Sequence, residues 1–272
     1  MNTEATLRKS LVFLALGLMV ATSWLAGCNS SSVTPDLTRS YEISSALVQD
    51  PNRDSTYVVV DFLRRDTLLP TAQIIFDGMP LIYRDRALVP HQFPVDSVFW
   101  LGLDSAERFA GGSFYLTLQD NTDYRDSLVV AVVDTSSIQT LAPSNHLVRA
   151  NDVVSLTWRP AANAETYILA AVKADEAYTG TGFSDYAATG LTAGTIPADA
   201  FLLPGSSDPD TGLYNVYVYA VNGSPDSLLS HQILPVPLPG QLPANIERSD
   251  LIGRTGSITV TGMDTVRVVQ IP

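Results

Sequence analysis

Two hydrophobic patterns share this chain. The first is a block, Ser10–Trp24, of 15 mostly apolar residues without a charge. The second begins near residue 41. There, short segments rich in Val, Ile, Tyr, Phe and Thr are separated by clusters of Asp, Gly, Pro and Asn. Apolar positions in these segments recur every second residue, the period of a pleated strand rather than of a helix. The pattern predicts strands at Tyr41–Val48, Thr56–Leu63, Ala72–Phe76, Leu81–Arg84, Ser97–Leu103, Ser113–Leu118 and Leu128–Val133, with a tight turn at Asp77-Gly78. Further strands are expected at Val154–Pro160, Ala164–Val172, Leu213–Asn222 and Leu228–Leu234, and in the tail at Ser257–Val260 and Thr265–Ile271. No helix longer than two turns is expected after the first block, so the fold class is all-β.

Seven short strands within residues 41–134 match the strand count of an immunoglobulin-like sandwich. The second half resembles a fibronectin type III domain over about residues 146–235. Val154-Ser-Leu-Thr-Trp158-Arg-Pro160 is similar to that family's second strand with its core Trp. Ala164–Val172 is similar to the third, with Tyr167 in place, and Leu213–Asn222 to its Tyr-x-Val-x-Val-x-Ala strand. The resemblance implies that Trp158, Tyr167 and Tyr214 build the second core. Two loops, Ala174–Gly182 and Ser206–Gly212, are longer than the family pattern. Polar residues 135–145, with Pro143, read as a connector between two tandem sandwiches. Residues 236–272 open with prolines and end in a β-hairpin extension. A lone hairpin is marginal in water, so this one is expected to dock on a neighbouring sheet.

The first block has a different meaning. Arg8 and Lys9 precede it and small residues follow, the three-part layout of an export signal. At 15 residues it is short for a membrane span, which needs about 20. Leu25-Ala26-Gly27-Cys28 resembles the lipobox of bacterial lipoproteins, and Cys28 is the chain's one cysteine. The resemblance implies cleavage after residue 27, diacylglycerol on the Cys28 thiol and an acylated amino group. More than one acyl chain makes a stable anchor. Asn29, where Asp would signal inner-membrane retention, implies the outer membrane. Residues 28–40 then serve as a lipidated Cys and flexible tether.

Charge narrows the partners. The 272 residues carry a net charge of −12, and loss of residues 1–27 leaves −13. Such a chain is a poor fit for nucleic acid, which needs clustered cations. It should not cling to anionic headgroups by charge, so the lipid must hold it. Lys173 is the one lysine left after cleavage.

Candidate chemistry is sparse. One cysteine excludes an internal disulfide and a Cys-based zinc site. A Ser–His–Asp site would have to use His91, in the Pro90–Pro94 loop, or His146 or His231, near strand ends, and all three read as solvent-facing or locally bonded histidines. The turns Ala110–Ser113 and Thr179–Gly182 contain glycines but open no helix that could cradle phosphate. Acid-rich loops hold Asp120, Asp123 and Asp126, then Asp175 and Glu176, then Asp208 and Asp210. Calcium takes six to eight oxygens from such loops. Asp208 and Asp210 are the best pair, but the EF-hand spacing is missing. The sequence therefore assigns no catalytic residue, no metal ligand and no cofactor. On the outer face of the Tyr214 strand, Tyr217 and Tyr219 would look outward, near Tyr178, Phe183 and Tyr186. Exposed, they would offer a glycan- or nutrient-binding surface; covered by the tail, they would be core. The expected role is a membrane-anchored, non-catalytic interaction or scaffolding module of the cell envelope, with an envelope protein or extracellular polymer as partner.

Overall fold

A computed structural model describes residues 41–84, 99–104, 112–122, 124–174, 182–188, 190–230, 233–240, 242–260 and 262–270. The export signal, Cys28, Asn29, His91 and His231 lie outside the described residues.

The first half forms β1 (Tyr41–Asp50), β2 (Ser55–Arg64), β3 (Thr67–Leu68), β4 (Gln73–Phe76), β5 (Met79–Pro80), β6 (Ile82–Arg84), β7 (Phe99–Asp104), β8 (Gly112–Gln119) and β9 (Arg125–Val132). All seven predicted strands are among them. The second half forms β10 (Ile138–Ala142), β11 (Leu147–Val148), β12 (Val154–Trp158), β13 (Thr166–Lys173), β14 (Phe183–Tyr186), β15 (Ala193–Ile196) and β16 (Gly212–Gly223). The tail adds β17 (Ile246–Glu247), β18 (Leu251–Arg254), β19 (Gly256–Val260) and β20 (Asp264–Val268).

Each half is a sandwich. In the first, the sheet β5-β4-β8-β9 packs against β1, β2 and their neighbours over a core that includes Ile43, Val60, Phe62, Ile74, Phe76, Leu116 and Leu118. In the second, β10-β12-β15 packs against the sheet carrying β13 and β16. Its core centres on Trp158, which touches Tyr167 with ring centroids 5.3 Å apart, and includes Tyr214. These are the three core aromatics the fibronectin type III resemblance implied.

The two sandwiches share a sheet. β16 bonds β13 on one edge; on its other edge β20 pairs with its first half and β19 with its second, both antiparallel. β19 also pairs with β1, in parallel, so the strand order runs β11-β20-β16-β19-β1-β2-β7-β6. The tail therefore docks on both halves at once. Ile138–Ala142, inside the stretch read as a connector, is a strand of the second sandwich, paired with β12. Only Leu141 of its five residues is buried, so its pattern resembles a polar linker.

One expectation fails here: the described residues of Leu228–Leu234 form no strand. Ser227–Ser230 is one helical turn, because the Asp226 carboxylate accepts from the Leu228 N–H at 2.8 Å and starts a helix instead. The place beside β16 goes to β19 and β20. Tyr217 and Tyr219 follow the covered alternative for that face: they are 6% and 0% exposed. They belong to a third apolar layer on the far face of the shared sheet, with Ala46, Val48, Tyr57 and Val59 from the first half. Leu229, Ile233, Leu234, Val236 and Leu238 roof that layer. The glycan surface built on those tyrosines is thereby removed.

Candidate functional site

The sequence path sets two ends. β1, β18, β19 and β20 run in one direction, and Gln49 of β1 sits beside Thr259 of β19. From there the tail continues to Val268, the partner of Gly212 at the start of β16. At about 3.3 Å per residue, Tyr41 and Val268 lie about 50 Å apart along the strands. Tyr41, the first residue of β1, marks one end. The start of β16 marks the other.

A cleft of about 710 Å³ opens at that far end. Its floor comes from strand ends that face each other: Lys173 closes β13 and is registered with Tyr214 of β16. Asp210, just before β16, completes the set. The Lys173 ammonium donates to Asp210 Oδ1 at 2.6 Å, and the Tyr214 hydroxyl donates to Oδ2 at 2.8 Å. Burial works against the Asp210 carboxylate, yet the bonds from Lys173 and Tyr214 and the ammonium charge outweigh it and hold its pKa below the ordinary carboxylate value. Gly212 has φ +150°, and a Cβ there would stand 2.9 Å from Lys173 Cε. A glycine lets the lysine stem lie across the start of β16.

The walls are mostly apolar, with the acid Asp199 among them. Phe183 stands on β14, while Pro197, Leu202, Leu203 and Pro204 come from the segment after β15. That segment is fixed by a 3-10 turn at Ala198–Phe201 and by the Ser206–Gly212 loop, whose Asp208 carbonyl accepts from Leu203 N–H and whose Asp210 N–H donates to the Phe201 carbonyl, both at 2.9 Å. An apolar cleft with a few converging polar groups is the usual form of a binding site. It can hold an extended apolar segment and orient it with one acid–base pair.

The sequence marked this site obliquely. Both loops longer than the fibronectin type III pattern end here: Ala174–Gly182 leaves from Lys173, and Ser206–Gly212 supplies Asp210. Their convergence was not readable, since β13 and β16 are about 40 residues apart and only sheet register aligns their ends. Asp210, with Asp208 the best-placed pair for calcium although no metal ligand was assigned, carries Lys173 and Tyr214. Asp208 lies on the other side of the loop, its N–H held by Ser206 Oγ at 3.0 Å.

The other acidic loop is a clasp. The Asp120 carboxylate accepts the Tyr41 hydroxyl and both the N–H and hydroxyl of Thr122, and Arg64 stands 3.7 Å away. Asp126 pairs with Arg248 at 2.6 Å. Asp123, Asp175 and Glu176 lie outside the described residues. His146 Nδ1 is 2.8 Å from the Thr265 carbonyl, a backbone contact. Among the described residues no three His, Cys, Asp or Glu side chains gather as a metal-ligand group.

No protein-family model and no curated protein matches the chain. Solved structures with some similarity include the plexin A4 extracellular region, at 14% identity, 63% of this chain, 14% of that chain and a TM-score of 0.32. The two immunoglobulin domains of DIP-gamma give 12% identity, 82% and 98% coverage and a TM-score of 0.22. The fibronectin(III)-like modules of Clostridium thermocellum CbhA give 8%, 84% and 94%, and 0.25. The last two are immunoglobulin and fibronectin(III)-like domains, and at such scores none of these likenesses carries a functional argument. The chain is an all-β protein of sandwich-like sheets on the strength of its own strands.

Proposed function

We propose that this chain is a lipid-anchored, non-catalytic interaction module of a bacterial cell envelope. The lipid sits on Cys28, Asn29 directs the protein to the outer membrane, and the second sandwich presents its cleft to an envelope protein or an extracellular polymer. The observation that carries this reading is the placement of the two ends. The chain enters the fold at Tyr41, and the Lys173–Asp210–Tyr214 cleft lies at the opposite end of the shared strand path. An anchored protein that works by contact should carry its contact site away from the membrane.

The single lysine of the mature chain makes the test direct. Intact cells are treated with an amine-reactive crosslinker, and the adducts of the wild type are compared with those of Lys173→Arg. The reading expects a protein adduct, or retention on an isolated envelope polymer, that is lost in Lys173→Arg. It also expects Cys28→Ser to leave the membrane fraction and lose fatty-acid label. Adducts unchanged by Lys173→Arg would reject the cleft, and membrane retention of Cys28→Ser would reject the anchor.

A further inference from the structure

The first strand of the fold and the last ones lie side by side and run the same way. Tyr41, Glu42, Ile43 and Ser44 of β1 are registered with Leu251, Ile252, Gly253 and Arg254 of β18. Leu47, Val48 and Gln49 are registered with Ser257, Ile258 and Thr259 of β19. On its other edge β1 makes ten registered antiparallel pairs with β2. Chain enters β1 at Tyr41 and leaves β20 at Val268, at opposite ends of this parallel set.

That arrangement has a mechanical consequence. A pull that separates Tyr41 from the far end acts along the strands. Inter-strand hydrogen bonds lie across the strands, so they are strained together and must fail together. A pull across the strands would instead open them one pair at a time. The start of β1 is further held by the Asp120 clasp on the Tyr41 hydroxyl and by the Tyr41 N–H, which donates to the Asp250 carbonyl at 3.0 Å.

Side chains lock the register. Ser45 donates to Thr255 at 2.6 Å. The Thr259 hydroxyl reaches Gln49 at 3.2 Å and the Val133 carbonyl at 2.8 Å, while Ser257 donates to the Ala131 carbonyl at 2.6 Å. Ser45, Gln49, Ser257 and Thr259 are all buried. A slip of one residue would break this polar seam inside an apolar layer, where unpaired groups are costly.

We infer that β1, clamped between β2 and the β18–β19 pair, is the element that resists tension between the N-terminal attachment and the distal end of the second sandwich. The clamp is a property of the folded chain; only its use at a membrane rests on the reading of Cys28 as the anchor.

The test is single-molecule pulling on the mature chain with Cys28→Ser and an N-terminal handle. In one geometry the second handle follows Pro272. In the other it is a thiol at Thr67→Cys, an exposed position on β3 beside Arg64, which is itself the register partner of Tyr41. The clamp expects the first geometry to break at a several-fold higher force than the second, because the second peels β1 from β2. Equal forces, or a weaker first geometry, would overturn it. Neither result depends on lipid, so failure of the clamp and failure of the anchor are read separately.

Discussion

The carbonyl oxygen of Ile43 lies 1.8 Å from where a Cβ on residue 253 would stand. Residue 253 is a glycine with φ +135°, and the register makes it the direct partner of Ile43 across the β1–β18 pair. Two independent constraints, space and backbone conformation, therefore demand glycine at this point. Strain of this kind costs of order 1–3 kcal/mol for the backbone alone. Gly253→Ala should lose at least about 2 kcal/mol in urea unfolding, since the backbone oxygen cannot move without opening the pair. An unchanged midpoint would mean that β18 does not approach β1 this closely.

Tyr219 tests the third apolar layer. It is fully buried beneath the roof formed by Leu229, Ile233, Leu234, Val236 and Leu238. Truncating a large buried aromatic costs about 3–5 kcal/mol, and Tyr219→Ser should fall in that range by chemical denaturation. A binding role for the tyrosine would predict near-normal stability and lost ligand contact instead.

Asp61 should make stability depend on pH. Burial, then the charges of Asp226 and Glu42, push its carboxyl up from 3.8 to about 6. The folded state thus holds the proton more tightly than the unfolded state. The resulting stabilisation is full below about pH 4 and is lost as pH rises through about 6. Asp61→Asn removes the cost of a buried charge. It should be more stable than the wild type by about 3 kcal/mol at pH 8, with most of that difference gone near pH 4. Parallel denaturation curves at those two pH values check the sign.

Lys173 and Asp210 are coupled at the cleft floor, with side chains 18% and 21% exposed. Partial exposure limits the pair to about 1 kcal/mol. Asp210→Asn and Lys173→Met should each cost about that much, and a double-mutant cycle should show that the losses do not add. Additive losses would mean that the 2.6 Å contact contributes nothing to folding.

How much was readable follows from where each signal resides. Strand positions are local: Tyr41–Val48, Thr56–Leu63 and Leu213–Asn222 declare themselves by alternation, and each was found within two residues of its observed ends. The aromatic core of the second sandwich, Trp158, Tyr167 and Tyr214, was likewise legible because its spacing repeats a known pattern. Tyr217 and Tyr219 were legible only as a choice between a wet face and one covered by the tail. Alternation says that two faces differ, not that one is wet, and here both faces of β16 are covered. A clue existed in Tyr57-Val58-Val59-Val60 and Ile168–Val172, runs without polar interruption that suit strands buried on both sides.

The sequence by itself determined the β character, the two sandwich cores and, through the Leu25–Cys28 box, the expectation of a lipid. Tertiary structure alone decided that Gly256–Val260 would pass between β1 and β16, more than 200 residues away from its parallel partner. A strand's pattern records which of its faces is apolar, but its edges are backbone, and backbone hydrogen bonds are the same for every residue but proline. The choice of neighbour is made by what those edges and faces meet once folded: the Ser45–Thr255 and Gln49–Thr259 contacts, the glycine gap at Ile43, and the apolar roof that only the whole chain can assemble.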